Sequence, residues 1–400
     1  MAADHPTRDD MDLCSGAFWA GDHHEKLAWA RANAPVYWDG TIWGVTRYAD
    51  LKAVSKDPAT FSSAGGIRPK NPPSPMMVEM DDPAHLKRRM LVNRGFTPRR
   101  VRDNEGAVLQ ACTEILDAVC ERGEADLVGD IAAHLPMIMI GDALGVRPEQ
   151  RADLLRWSDD LMKGLSTEAT EEELLATATA FGEWNEFAHT AIAERQAHPT
   201  DDLMSTLVHA EVDGERLTPD DIVMESLLIL IGGDETTRHV ISGGVHQLLI
   251  HPDQWKQVAT DPAVRPSAVE EMLRWVSPIK NMVRTATRDV ELGGQPVEEG
   301  DELMLLYPSA NRDEAVFEEP FRFDVERTPN EHVAFGFGPH FCLGASLARL
   351  EISVMLDQLL ERLPDLQLAD PDADLHLRPA NFVSGLESLP VRFSPTAKVG

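Results

Sequence analysis

Residues 335–344 read Phe-Gly-Phe-Gly-Pro-His-Phe-Cys-Leu-Gly, and a helical pattern begins directly after them at Ala345. Glycines let a backbone turn tightly and approach a flat ligand closely. Cys342 stands just before the helix, where the backbone amide dipoles favour the thiolate form that binds metals. A lone buried cysteine in a turn is the alternative interpretation, but the string as a whole disfavours it. We therefore predict that Cys342 is a metal ligand in a tight turn.

A second stretch predicts one long helix. Thr218 and Asp221 have the spacing of a capping box, and Pro219 stands at the first helical position, which is typical of a helix N-terminus. An apolar run follows over residues 222–231, and the helix is predicted to continue for about 30 residues to His251 and Pro252.

Two glycines, Gly232 and Gly233, stand in the middle of this predicted helix, and Glu235 and Thr236 follow them. Each glycine costs roughly 1 kcal/mol relative to alanine. We expect the glycines to form a groove, and the Thr236 hydroxyl to bond a carbonyl one turn earlier so that the helix opens locally. The alternative is a surface acid beside a helix-capping threonine.

These two stretches resemble the cytochrome P-450 family. The haem-binding loop of that family has the pattern F-x-x-G-x-x-x-C-x-G and its long helix has the pattern A/G-G-x-D/E-T, and this sequence matches both. The resemblance implies one domain over residues 1–400, mainly α with small antiparallel β-sheets, that encloses haem b. A thiolate gives a haem iron electron density that promotes O–O cleavage.

The resemblance also implies roles for individual residues. Glu235 and Thr236 are the expected catalytic pair, which holds dioxygen and relays protons to it. His85, Arg89, Arg284 and His340 occupy the family positions that contact the haem propionates. The full set expected to bind the cofactor is His85, Arg89, Gly233, Arg284, Phe335, Gly338, His340, Gly344 and, as the iron ligand, Cys342.

Glu271 and Arg274 are spaced so that their side chains share one helix face. Alone, such a pair is usually an exposed ion pair of little energetic value. In the family it meets an arginine from an F-D-x-x-R segment, which residues 323–327 supply. The resemblance therefore implies a structural triad of Glu271, Arg274 and Arg327 that fixes the loop carrying Cys342.

Composition excludes several classes of protein. The formal net charge of −30 argues against a nucleic-acid partner. The N-terminus lacks the pattern of a signal peptide, and no uncharged apolar run is long enough for a membrane span. The four cysteines form no C-x-x-C pair, which predicts free thiols in the cytoplasm. Residues 1–20 predict a poorly ordered tail.

Hydrophobic periodicity places helices at residues 107–121, 158–187 and 346–363. Short strands are predicted around residues 36–38, 42–46, 283–292, 302–306 and 390–393. Residues 64–80 and 309–340 are rich in glycine or proline and predict two long irregular segments. We find no internal repeat or linker, which favours a single domain.

The predicted substrate pocket is apolar and mostly non-aromatic, which suits a bulky aliphatic lipid. Residues 232–244, 271–284 and 304–317 are similar to actinobacterial enzymes that oxidise the terminal methyl of the cholesterol side chain. This implies a steroid 26/27-monooxygenase of cholesterol catabolism that carries cholesterol or cholest-4-en-3-one through alcohol and aldehyde to acid. Arg68 or Lys70 could instead pair with a carboxylate, so the alternative is hydroxylation of branched fatty acids or terpenoids. The predicted pocket residues are Met76, Val78, Ile229, Ile279, Met282, Val283 and Phe382.

Residues 83–102 carry seven basic residues and no acidic one. In the family this segment borders the face where a small acidic ferredoxin docks, so the expected electron donors are a ferredoxin and its NAD(P)H-dependent reductase. Complementary charge mainly raises the rate of encounter. The residues expected to contribute are Arg88, Arg94, Arg99 and Arg100. A peroxygenase or a haem-binding sensor is the non-monooxygenase alternative, and neither needs the pair Glu235-Thr236.

Overall fold

Helices make up most of the structure, a computed structural model that describes residues 5–400. Residues 1–4, where the predicted tail begins, lie outside the described residues. The α-helices are α1 (Gly16–Ala20), α2 (His23–Asn33), α3 (Tyr48–Lys56), α4 (Ala84–Val92), α5 (Pro98–Asp103), α6 (Glu105–Val119), α7 (His134–Leu144), α8 (Arg151–Lys163), α9 (Glu171–Ala197), α10 (Leu203–His209), α11 (Pro219–Ile250), α12 (Pro252–Thr260), α13 (Arg265–Val276), α14 (Tyr307–Ala310) and α15 (Ala345–Arg362).

Short strands form small sheets beside the helices, as predicted. The largest sheet has the order β1-β2-β10-β7-β3. Its strands β2 and β10 run parallel, which corrects the prediction that all the sheets are antiparallel. These two strands are far apart in sequence, so no hairpin dictates their direction. The strands are β1 (Val36–Trp38), β2 (Trp43–Val45), β3 (Phe61–Ser62), β4 (Glu124–Asp126), β5 (Glu211–Val212), β6 (Glu215–Arg216), β7 (Asn281–Ala286), β8 (Val290–Leu292), β9 (Gln295–Val297), β10 (Glu302–Leu306), β11 (Gln367–Leu368) and β12 (Pro390–Arg392).

The segment before α2 belongs to the core. Leu13 and Trp19 are completely buried, and the Trp19 indole Nε1 donates to the Leu13 carbonyl at 3.0 Å. The prediction of a poorly ordered tail over residues 1–20 is therefore wrong for residues 11–20. The prediction relied on the polar residues of this segment. Burial of its few large apolar side chains stabilises the folded state and holds the segment in the core.

The long helix α11 runs through the middle of the domain and packs on α7, α9, α13 and α15. Its capping box is present, because the Thr218 hydroxyl accepts from the Asp221 amide and the Asp221 carboxylate accepts from the Thr218 amide. The helix is continuous through Gly232 and Gly233, so the expected local opening is absent. The single helix predicted over residues 158–187 is instead α8 and α9, with a break between them where Thr170 caps α9.

Residues 127–144 are long and apolar enough, by composition, to cross a membrane. However, 67% of this segment is buried inside the protein. Leu127, Ile131 and Leu135 pack with apolar residues of α6 and α11 in the largest core cluster. The segment is therefore a core element of this fold.

Candidate active site

The loop before α15 holds Cys342 in a tight turn. Gly336 and Gly338 have positive φ angles of 71° and 76°, and a Cβ atom on Gly338 would lie 2.3 Å from the Ser55 carbonyl oxygen. The Cys342 amide donates to the Phe335 carbonyl at 2.9 Å. Glycine is therefore required at position 338 by both conformation and space.

The thiol of Cys342 faces an internal space. Its side chain is accessible to solvent, yet protein surrounds it closely enough that burial raises the pKa of the thiol. The nearby backbone amides of Gly344 and Ala345 oppose this shift of the pKa. A sulfur that is surrounded, accessible and close to the amides of a helix start fits a thiolate ligand of an enclosed metal centre.

The two adjacent glycines of α11 differ in their surroundings. A Cβ atom on Gly232 would meet nothing within 4 Å, whereas one on Gly233 would lie 2.2 Å from Ile140 Cδ1 of α7. Gly232 is exposed although α11 runs through the core. Gly233 therefore allows close helix packing and Gly232 borders open space, and the contact of Gly233 with the cofactor stays a prediction.

Four basic side chains cluster between α4, β7 and the cysteine loop. The His85 and His340 rings lie 4.1 Å apart. Burial and the nearby Arg284, His85 and Arg89 lower the pKa of His340 to about 3. Arg89 donates to the Phe341 carbonyl, next to Cys342.

Several hydrogen-bond donors of this cluster lack an acceptor within the described residues. Arg284 is buried and bonds the Val283 carbonyl at 2.7 Å, with no carboxylate at ion-pair distance within residues 5–400. His85 Nε2 is buried without a partner, while its Nδ1 lies 3.1 Å from Asp82. His340 Nε2 lies 3.2 Å from the Ser63 hydroxyl. A buried group of arginine and histidine donors without sufficient acids fits two incoming carboxylates, such as the propionates of a haem.

Thr236 and Glu235 lie one turn beyond the open space at Gly232. The Thr236 hydroxyl donates to the Gly232 carbonyl at 2.9 Å, which confirms the expected bond. Glu235 is buried, and its Oε1 accepts from Arg238 Nη2 at 2.8 Å and from Arg378. Sequence reasoning missed both arginines. Arg238 is visible at a spacing of three along the helix, whereas nothing in the sequence indicates Arg378.

A buried acid beside this pair connects α11 to α8. The Asp234 carboxylate accepts from the Ser158 hydroxyl at 2.8 Å, and burial raises the pKa of Asp234 to about 6. Arg238 also lies 3.9 Å from Asp159 of α8. The position of α8 is therefore linked to the charges that surround Glu235.

The expected triad is present. Arg274 binds Glu271 through two hydrogen bonds of 2.7 Å, and both side chains are completely buried. Arg327 Nε reaches the same carboxylate at 3.2 Å. Arg274 also donates to the carbonyl of Asn311, and the Asn311 side chain accepts from the Val333 amide at 2.7 Å. The triad thus holds the segment that enters the cysteine loop.

The structure brings most of the predicted pocket residues together. Val78, Ile279, Met282 and Phe382 share one apolar cluster with Ile67. Met76 and Ile229 lie in the neighbouring cluster that includes part of α11.

Val283 departs from this arrangement. It is completely buried with Met304 and Leu306 in another cluster. Successive side chains of a strand point to opposite faces, so Val283 lies behind the sheet while Met282 joins the pocket cluster. The structure corrects the prediction at this residue.

Arg68 is part of the pocket wall rather than a free cation. It donates to Asn281 Oδ1 at 2.7 Å, to Asn381 Oδ1 at 2.9 Å and to the Leu165 carbonyl at 3.2 Å, and its guanidinium stacks on Phe382. Asn381 in turn donates to the Cys14 carbonyl at 2.6 Å. All these acceptors are neutral, and Lys70 is exposed.

The basic residues of segment 83–102 are only partly available for docking of a partner protein. Arg88 turns inward and binds Asp221 at 2.6 Å and Glu225 at 3.1 Å, which corrects its assignment to a docking surface. Arg94 and Arg99 are exposed. Sequence reasoning missed Lys52 and Lys56 of α3, which lie over the Phe337 ring of the cysteine loop at 4.4 and 5.2 Å.

Comparison with known proteins gives the same class as the site. The cytochrome P450 family model matches residues 264–373. A steroid C26-monooxygenase of Mycobacterium tuberculosis is 55% identical over 98% of this chain and 99% of the relative, and one of Mycolicibacterium smegmatis is 53% identical over 98% of each. A methyl-branched lipid omega-hydroxylase of M. tuberculosis is 36% identical over 96% of this chain and 95% of the relative.

Solved structures of cytochromes P450 have the same fold as this chain. Mycobacterium marinum cytochrome P450 CYP268A2 in complex with pseudoionone superposes with a TM-score of 0.89 at 35% identity, covering 98% of this chain and 100% of that one. CYP109E1 of Bacillus megaterium in complex with corticosterone gives 0.86 at 32% identity, covering 93% and 98%. The fold and the thiolate loop define a haem-thiolate monooxygenase. The chain belongs to the cytochrome P450 family, which uses haem b.

Proposed function

We propose that this enzyme hydroxylates the terminal methyl of a steroid side chain, as in cholesterol or cholest-4-en-3-one, and oxidises it further to the acid. The observation that carries the proposal is the 55% identity, over nearly the whole of both chains, to a steroid C26-monooxygenase. Haem b bound through Cys342 supplies the iron that activates dioxygen.

The pocket supports a neutral, bulky substrate. Its wall is the apolar cluster around Ile279, Met282 and Phe382. All three nitrogens of the Arg68 guanidinium are bonded to neutral protein oxygens, so these bonds hold the residue in the pocket wall without a substrate carboxylate. Methyl-branched lipids are the second candidate, because relatives with that activity in their name are 36% identical.

Glu235 and Thr236 are the proposed proton donors. The Thr236 hydroxyl lies next to Gly232, the glycine that borders open space. Arg238 and Arg378 both donate to Oε1 of the Glu235 carboxylate, and these bonds leave its Oε2 outside the pair.

Titration of the haem-loaded enzyme with candidate lipids tests the substrate class. We expect cholest-4-en-3-one to displace water from the iron and shift its spin state, with an oxidised terminal methyl as the product by mass spectrometry. A saturated or methyl-branched fatty acid of similar size is the control. A spin-state shift with the fatty acid and none with the sterol would contradict the proposal.

A ferredoxin with its NAD(P)H-dependent reductase is the proposed electron source. Arg94, Arg99, Lys52 and Lys56 give the cysteine-loop side of the protein a basic surface in an otherwise acidic chain. We expect charge reversal at Arg94 and Arg99 to lower turnover at low salt and to reduce its salt dependence. The matched control is Arg147→Glu, an exposed arginine after α7.

Turnover with peroxide alone, at a rate equal to that with ferredoxin, would instead indicate a peroxygenase. We also propose a cytoplasmic location, because all four cysteines are free thiols.

A further inference from the structure

Lys280 is a buried cation next to the substrate pocket. Its neighbour Ile279 joins the pocket cluster, while the Lys280 amide donates to the Phe382 carbonyl at 2.7 Å and its carbonyl accepts from the Tyr307 amide at 3.2 Å. These bonds fix the segment between α13 and β7. The Lys280 side chain is buried, and its Nζ donates to the Ser277 carbonyl at the end of α13.

Four basic side chains meet there. Lys280, Arg312 and His23 are each less than 5% exposed, and the rings of His23 and His24 lie 4.1 Å apart. Burial lowers the pKa of Lys280 to about 7, and Arg312 contributes to that shift. Lys280 Nζ and Arg312 Nη2 both donate to carbonyls at the end of α13, those of Ser277 and Trp275, and both cations contribute to lowering the pKa of His23 and His24.

Several of their nitrogens have no partner. Arg312 donates through Nη2 to the Trp275 carbonyl at 2.8 Å, but its Nε and Nη1 are buried and unbonded. His23 Nδ1 donates to the Gly21 carbonyl at 3.0 Å, so Nε2 of its neutral ring is an acceptor. Within the described residues, Lys280 Nζ bonds only the Ser277 carbonyl, at 3.2 Å. Buried donors are normally satisfied, so the unbonded Nε and Nη1 of Arg312 and the remaining hydrogens of Lys280 indicate a missing acceptor.

No carboxylate on the packed elements supplies that acceptor. Glu271 of α13 is already bound by Arg274 and Arg327. Glu314, after α14, is bound by Arg31 of α2. On α11, His239 is a further buried histidine that carries no negative charge. Buried cations without a counter-charge are costly, and an anion is the group that would offset the cost.

We propose that Lys280 and Arg312, next to His23 and His24, bind a small inorganic anion of the halide class in the interior between α2, α14 and residues 277–280. His24 is partly accessible although it lies within the fold, which is consistent with space beside it. The anion would connect α2 to the segment that carries Ile279. It stabilises the wall of the pocket and takes no part in the oxidation.

Anomalous diffraction from crystals of the haem-loaded enzyme soaked in sodium bromide tests this directly. We expect a bromine peak within about 3.5 Å of Lys280 Nζ and of the Arg312 guanidinium. Density that refines as water, with no bromine signal at this position, overturns the proposal. The measurement uses the unaltered protein, so it does not depend on any variant folding.

Thermal unfolding gives an independent measurement. At equal ionic strength, chloride in place of glutamate should raise the Tm by about 3 °C at a hundredfold excess over its Kd. Lys280→Met should abolish that increment, and Lys256→Met, at an exposed lysine of α12, should retain it. Equal Tm values in the two salts overturn the proposal. Neither result depends on which lipid is the substrate, so this inference and the proposed function fail separately.

Discussion

Replacing Glu271 by glutamine should destabilise the enzyme far more than the same change at an exposed pair. The Glu271 carboxylate is completely buried. It accepts two hydrogen bonds of 2.7 Å from Arg274, one of 3.2 Å from Arg327 and one of 2.9 Å from the Asp324 amide. Glutamine keeps the shape but leaves two arginine charges uncompensated. Removing one partner of a buried pair costs about 3–5 kcal/mol, which for a chain of 400 residues lowers Tm by roughly 4–6 °C.

The matched control is Glu319→Gln. Glu319 and Arg322 have the same spacing of three and a distance of 2.9 Å, but both side chains are more than 60% exposed. An exposed pair contributes about 0–1 kcal/mol, so the control should lower Tm by at most about 1 °C. Circular dichroism reports unfolding, and loss of the Soret band reports release of haem from the cysteine loop. If the two variants lose stability equally, the buried triad does not stabilise the segment that enters the cysteine loop.

Three further predictions follow from the site. Arg284→Met should increase the rate at which haem transfers to apomyoglobin, because it removes a buried cation that is paired with no carboxylate of the described residues. Arg288→Met is the control: it loses bonds only to the Thr60 hydroxyl, and the rate should not change. Thr236→Ala should lower product per NAD(P)H by about tenfold or more while Tm stays within about 1 °C; unchanged coupling would exclude Thr236 as a proton donor. Burial raises the pKa of Glu351 from 4.5 to about 8, so the stability that its protonated form contributes is complete below pH 4.5 and is lost as the pH rises through 8. The Tm of Glu351→Gln should therefore increase relative to the unaltered enzyme from pH 5 to pH 9, and a constant difference would contradict the shift.

The sequence predicted the parts of the fold that depend on local patterns. The capping box of α11 and the glycine turn before α15 are determined by neighbouring residues, and both are present. The parallel pairing of β2 with β10 and the burial of Trp19 depend on segments distant in sequence. Local periodicity carries no information about such contacts.

In the site, too, local patterns were predicted and contacts between distant segments were not. Motif spacing predicted Cys342, because its pattern is short and contiguous, whereas the triad joins two separate segments and was predicted from the family resemblance. It could not separate Gly232 from Gly233, since only the packing of Ile140 distinguishes them. It also missed Arg378, which reaches Glu235 from the C-terminal segment. Side chains that come from remote segments became visible only in the folded protein.

The bonds at Asn381 connect segments that are distant in sequence. This side chain and its carbonyl join the segments around Cys14, Arg68 and Asn281. Residues that share one hydrogen-bond network are energetically coupled, so substitutions at Arg68, Asn281 and Asn381 should have non-additive effects on substrate affinity.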